Sequence, residues 1–313
     1  MIALVCPGQG SQTPGFLASW LELPGLRERA ESLSDAAGID LVTHGTTSDA
    51  DTIRDTAVAQ PLIVGAGLLA LEALSAGSAD HLDGSVGVVA GHSVGEITAA
   101  AATGVLSADD AMRLVSLRGR AMAEASAVSP TGMSAVLGGD PAEVLAVLER
   151  CGLTPANMNG AGQVVAAGTM DQLAALAAEP PARARVIPLQ VAGAFHTVHM
   201  ALAADVLGAE WSDHDVSDPG VTLLSNSDGS AVASGAEFLR RLVSQVRNPV
   251  RWDRCMETMT DLGVTGLVEL APAGTLVGLA KRAMKGVPTV ALKTPDDLDA
   301  ARELLAASTS AKA

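Results

Sequence analysis

The chain has 313 residues, 48% hydrophobic and 18% charged, which suits one large α/β domain with a smaller insertion and excludes global disorder. Lys and Arg number 20 against 35 for Asp and Glu, a net charge of −15, and aromatic residues are only 2% with no Tyr. A nucleic-acid backbone would be repelled and would find few stacking platforms, so a nucleic-acid partner is excluded.

The opening Met1-Ile2-Ala3-Leu4-Val5-Cys6-Pro7 has no basic residue ahead of its apolar run, unlike a signal peptide. Residues 2–6 read as a first strand, closed by the loop Pro7-Gly8-Gln9-Gly10-Ser11-Gln12. Apolar stretches around 62–71 and 86–90 are broken by Gly, His or Glu short of a membrane span, so a soluble, cytoplasmic protein without membrane contact is expected. Residues 86–90, apolar on both faces, predict a central parallel strand that runs through Gly91-His92-Ser93-Val94-Gly95-Glu96 into an Ala-rich helix. From about Thr131 the rhythm changes. A strand over 133–137, a helix over 141–150, two strands around 157–167, a helix over 170–178 and a strand over 186–191 make a βαββαβ order, that of a small ferredoxin-like unit. Ser129-Pro130-Thr131-Gly132 and Ala192-Gly193-Ala194 bracket it. Residues 129–192 are therefore expected to be inserted between 1–128 and 193–313, which together form a larger α/β-hydrolase-like subdomain with a parallel sheet. Residues 267–270 and 289–292 predict late strands, and the Ala/Ser tail after Leu305 is expected to fray. Cys6, Cys151 and Cys255 stand far apart without CxxC or metal-ligand spacing, which predicts three reduced, largely buried thiols and no metal site.

Gly91-x-Ser93-x-Gly95 sits where strand hands over to helix. A serine there occupies a sharp turn that small neighbours make possible, and the amide of Val94 is free to hold an oxyanion. A glycine-rich turn carrying a solvated serine fits the same letters. A nucleophilic hydroxyl needs a base. Among six histidines, His92 adjoins Ser93 on a turn where neighbouring side chains diverge, which suits packing, while His44, His81 and His214 lie in polar, Asp-rich surroundings and read as solvated. His196 and His199, just after the inserted unit, remain, and each taken alone also suits a structural role.

The blocks Pro7-Gly8-Gln9-Gly10-Ser11-Gln12, Gly91-His92-Ser93-Val94-Gly95-Glu96, Arg113-Leu114-Val115-Ser116-Leu117-Arg118-Gly119, Ala194-Phe195-His196-Thr197 and Asn248-Pro249-Val250-Arg251-Trp252 together resemble the malonyl-CoA:acyl carrier protein transacylases, in that order and across nearly the whole chain. The resemblance implies Ser93 as acyl-accepting nucleophile and His196 as its base and acid. It also implies oxyanion-hole amides from Gln9 and Val94, and Gln245 orienting His196 through its backbone carbonyl. Gln60, Phe195, Asn157 and Asn159 would line the pocket. His199 stands where relatives carry an apolar residue.

The same resemblance makes Arg118 the residue that binds the substrate carboxylate; by itself it reads as a helix-surface arginine facing water. A guanidinium grips a carboxylate through two parallel hydrogen bonds and in a cleft discriminates by about 2–5 kcal/mol. Phe195 beside the base would crowd an α-methyl branch and disfavour methylmalonyl. Malonyl-CoA and the phosphopantetheine thiol of acyl carrier protein are the implied partners, with no cofactor or metal. A lone chain suits fatty acid biosynthesis. A discrete acyltransferase loading polyketide carrier proteins is the nearest alternative, then a serine thioesterase or hydrolase, against which Arg118 argues. A dinucleotide-binding module on Gly8-x-Gly10 is set aside because Thr13 takes the place of a third glycine. Acyl carrier proteins are acidic, so docking needs a local basic patch. Arg240, Arg241, Arg247, Arg251, Arg254, Lys281, Arg282 and Lys285 are the candidates, with scattered solvated charges as the plain reading.

Overall fold

The computed structural model describes residues 1–75 and 84–310, so the expectation for His81 lies outside the described residues. Its strands are, in chain order, β1 (Ile2–Cys6), β2 (Val86–Gly91), β3 (Thr131–Gly138), β4 (Thr154–Gly160), β5 (Gln163–Thr169), β6 (Ala184–Pro188), β7 (Thr222–Leu224), β8 (Gly266–Glu269) and β9 (Thr289–Ala291). They form a parallel sheet in the order β7-β2-β1-β8-β9 and a separate antiparallel sheet in the order β4-β5-β3-β6.

In the parallel sheet the centre is β1, where Leu4 stands between Val89 of β2 and Val268 of β8. Alternation explains its apolar run: Ile2, Leu4 and Cys6 enter one core and Ala3 and Val5 the other, so helices can cover both faces. Carboxyl ends of parallel strands gather on one edge, and the loops after β1 and β2 both start there. β7, three residues beside an Asp- and Gly-rich loop, is too short to show a period in the sequence.

The strand order of the smaller sheet is that of a ferredoxin-like unit. Helices Pro141–Arg150 and Met170–Ala178 start at the predicted residues because Asp140 and Thr169 cap their first amides, and they bury Val144, Val147, Leu148, Leu173 and Leu176 against the sheet. β6 ends at Pro188, earlier than expected. Leu189 adds one further bond to Met133, and the chain then turns away, so Val191 lines a cavity. β4 also bonds outside its sheet: Met158 donates to Val250 and Val250 donates to Ala156, both at 2.9 Å, which stitches it to the Asn248–Trp252 block.

Three further expectations change. Helix Thr56–Leu74 spans 19 residues and, among the described residues, is the one long and apolar enough to cross a membrane; here it is a buried core helix packed on helix Ala108–Ala127. The tail does not fray at Leu305, because helix Leu298–Ser310 continues and Leu304 and Leu305 pack on the core. Cys6 and Cys255 are buried, but Cys151 is only half-buried, at the end of a surface helix.

Candidate active site

Helix Gly95–Ala102 starts so soon after β2 that Ser93 must take a left-handed φ of 54°. The two glycines are obligatory. A Cβ on Gly91 would lie 2.0 Å from the carbonyl carbon of Gly95, and one on Gly95 would lie 2.2 Å from the Cys6 oxygen. Strain of this kind costs about 1–3 kcal/mol and persists where surrounding bonds enforce it. Here Asn226 enforces it, its Oδ1 accepting from the Ser93 amide at 2.8 Å and its Nδ2 donating to Gly91 at 2.7 Å.

The Ser93 hydroxyl meets His196 Nε2 at 2.7 Å, and His196 Nδ1 meets the Gln245 main-chain oxygen at 2.8 Å. A carbonyl can only accept, so Nδ1 carries the proton and the Nε2 lone pair faces the hydroxyl. His196 is 2% exposed; burial first, then the nearby Arg118 charge, pushes it down to about 3, so the imidazole is neutral. A carbonyl in the orienting place fixes the tautomer without adding a buried charge.

Arg118 is 1% exposed. Its Nη1 donates to Gln60 Oε1 at 2.6 Å and its Nη2 to Gln245 Oε1 at 3.0 Å, with Ser93 Oγ 3.5 Å from Nη2. Its Nε has no partner among the described residues. Burial lowers the guanidinium to about 10 while Glu96 opposes the shift, so it stays charged at neutral pH. Glu96 is equally buried and accepts from the Asn226 amide at 2.5 Å and from Gln245 Nε2 at 2.6 Å. Burial pushes its carboxyl up to about 8, against those bonds and Arg118. Gln245 is the hub: its oxygen faces Arg118, its amide nitrogen serves Glu96, Ser93 and Asn226, and its main-chain oxygen holds the His196 ring.

A cavity of about 240 Å³ opens onto Ser93 and His196. Gln9 and Val94 line it, and neither main-chain amide has a hydrogen-bond partner among the described residues, which leaves two donors for an oxyanion. Gln60, Phe195, Asn157 and Asn159 line it as well, the two asparagines contributed by β4. Arg118 and Gln245 do not reach the cavity surface; they stand behind Ser93 and Gln60. His92 is more than a packing residue. It lines the cavity, meets Asn159 Oδ1 through Nε2 at 2.9 Å and sets its ring edge against Trp252. His199 is half-buried, its amide donating to the Thr197 hydroxyl, and it does not join the site. His44, bonded to Ser48, and His214, packed on Trp211, are half-buried rather than solvated.

The acyl transferase domain family matches this chain over residues 3–307. The malonyl CoA-acyl carrier protein transacylase of Mycobacterium tuberculosis is 54% identical over 299 residues, 96% of this chain and 98% of that protein. A crystal structure of the M. tuberculosis protein superposes with a TM-score of 0.92 at 54% identity, covering 97% of this chain and 99% of that one. A malonyl-transacylase solved in complex with its type II PKS acyl-carrier protein gives a TM-score of 0.88 at 30% identity, covering 96% and 99%. With likeness of this extent to both sequence and fold, the chain belongs to the acyl transferase domain family and, within it, to the malonyl CoA-acyl carrier protein transacylases.

Proposed function

We propose that the cleft carries a malonyl group from malonyl-CoA to the phosphopantetheine thiol of an acyl carrier protein, through an ester on Ser93, in service of fatty acid synthesis. One observation carries the reading: a neutral imidazole 2.7 Å from the serine oxygen and a buried guanidinium 3.5 Å from the same oxygen. The first equips the hydroxyl to attack a carbonyl, and the second supplies a cation for an acyl group that ends in a carboxylate.

In the first half-reaction Ser93 Oγ bonds to the thioester carbonyl carbon as its proton passes to His196 Nε2. The amides of Gln9 and Val94 hold the tetrahedral oxyanion. Its collapse breaks the carbon–sulfur bond, and His196 returns the proton to the departing sulfur. In the second half-reaction the carrier thiol gives its proton to His196 and its sulfur bonds to the ester carbon. The carbon–Oγ bond then breaks and the proton returns to Oγ. One thioester replaces another, so no external driving force is needed. Intact-protein mass spectrometry after mixing with malonyl-CoA is expected to show one malonyl adduct, located on Ser93 and discharged by carrier protein faster than by water. Faster discharge by water would make the protein a hydrolase.

A polyketide carrier protein is the second reading, favoured by the likeness to the transacylase solved with such a carrier. Comparing loading rates of the two carriers separates them. The buried, reduced Cys6 and Cys255, whose thiols burial pushes up, suit a reducing compartment, and we infer a cytoplasmic site of action.

For the carrier protein we infer a docking surface smaller than the full basic stretch. Arg240, Arg241, Arg247, Arg251 and Arg254 pair with neighbouring carboxylates, which cancels much of their field. Lys281, Arg282 and Lys285 are exposed and have no ion pair among the described residues. They lie on or just beyond helix Thr275–Ala283, whose Leu276 and Leu279 line the cavity, and Arg282 bonds to the cavity residue Gln163. Reversing these three charges is expected to raise the Michaelis constant for carrier protein roughly tenfold and flatten its salt dependence. An unchanged constant and salt slope would place docking elsewhere.

A further inference from the structure

Arg118 is a buried cation with no carboxylate within ion-pair distance among the described residues; two glutamine oxygens hold it instead. The two glutamines are not equivalent. Gln245 is pinned, because its amide nitrogen serves the Ser93 carbonyl, Glu96 and Asn226 at once. Gln60 is loosely held. Beyond Arg118 its partner is Met122, whose sulfur accepts from Nε2 at 3.4 Å, and a thioether is a weak acceptor. Gln60 and Met122 both line the cavity, while the guanidinium they stand beside does not.

We propose that Gln60 is a displaceable stand-in for the substrate carboxylate: its amide oxygen occupies the guanidinium in the empty cleft, and a carboxylate-bearing acyl group takes its place. This rests on the reading of Arg118 as carboxylate clamp and adds a specificity-determining residue to it. Exchange favours the charged acyl group because a carboxylate is a stronger acceptor for a guanidinium than an amide oxygen. The released Nη1, with the unpartnered Nε and the Nη2 beside Ser93, supplies the N–H groups for a two-point grip. An uncharged acyl group offers nothing in exchange. Displacing Gln60 for it would leave a buried cation short of a bond, so the arginine stays covered.

Gln60→Glu tests this, since the change is isosteric and ties a carboxylate to Arg118 through the chain itself. Ser93 acylation by malonyl-CoA and acetyl-CoA is measured by intact mass for wild type, Gln60→Glu, Gln60→Ala and Arg118→Ala, with thermal denaturation to confirm folding. The malonyl-to-acetyl ratio is expected to fall about 100-fold in Gln60→Glu, because an internal anion already fills the clamp. Gln60→Ala, with no oxygen to displace, is expected to keep a malonyl preference. A Gln60→Glu protein with wild-type preference, or a Gln60→Ala protein that loses preference as fully as Gln60→Glu, overturns the proposal. Failure of the underlying reading looks different: wild type and Arg118→Ala would then show the same ratio.

Discussion

Ser93→Ala is expected to form no malonyl adduct and to lose turnover by about 10⁶, the scale on which removing the nucleophile of a serine–histidine unit acts. The backbone survives the change. Alanine keeps the Cβ already tolerated at φ 54°, and the bonds that hold the turn run from the Ser93 amide to Asn226 and from Gln245 to the Ser93 carbonyl, not through Oγ. Thermal denaturation close to wild type therefore accompanies the loss, and a large drop in melting temperature would show that the hydroxyl also holds the elbow. His196 gives a second reading on the same bond. With the imidazole lowered to about 3, the proton-accepting form predominates at every pH above that value. The ratio kcat/KM for malonyl-CoA is thus expected to stay level as pH falls from about 7 to about 5, below the range in which Glu96, raised to about 8, changes charge, where an ordinary histidine would lose activity below about 6.5. Stability follows the same sign. The unfolded chain binds this proton near 6.5 and the native one near 3, so the contribution is full above 6.5 and is lost as pH falls toward 3.

How much of this was legible in the sequence depends on distance along the chain. β1, β2 and the turn between β2 and its helix are local, since strand periodicity and two glycines suffice to place Ser93. The contact between Ser93 and His196 joins residues 103 apart, and no composition or spacing reports it; resemblance to a family supplied it. Glu96 stood in plain view beside the serine without a reason to matter, because its partners Asn226 and Gln245 are 130 and 149 residues away. Asn226 follows a three-residue strand in a polar stretch and carried no signal. Arg118 does carry one. Leu114, Arg118 and Met122 repeat every four residues on helix Ala108–Ala127, and all three are buried, so the arginine sits on the apolar stripe of its helix. A charge on that stripe is either paired or functional.

Arg118→Ala is expected to cut acylation by malonyl-CoA relative to acetyl-CoA by roughly 30-fold to several thousand-fold, the equivalent of about 2–5 kcal/mol. On the proposed reading of Arg118, two contributions that act together would give a malonyl preference. A malonyl carboxylate would gain charge-assisted bonds from a guanidinium that water does not screen, whereas an acetyl group would leave that guanidinium with the oxygens of Gln60 and Gln245 alone. Alanine removes both, so the ratio falls through slower malonyl transfer and also through less disfavoured acetyl transfer. The acetyl rate in the variant separates this account from simple damage. Collapse of the Gln60, Gln245 and Glu96 network would slow both donors alike, because Gln245 also orients His196 through its carbonyl. Loss of a carboxylate clamp slows malonyl transfer and spares or raises acetyl transfer. Arg118→Lys sharpens the test: it retains a positive charge but offers a point charge in place of a planar fork, so it is expected to recover only part of the preference. An Arg118→Ala enzyme with the wild-type ratio would remove carboxylate recognition from this residue, and with it the reason for burying a cation behind Ser93.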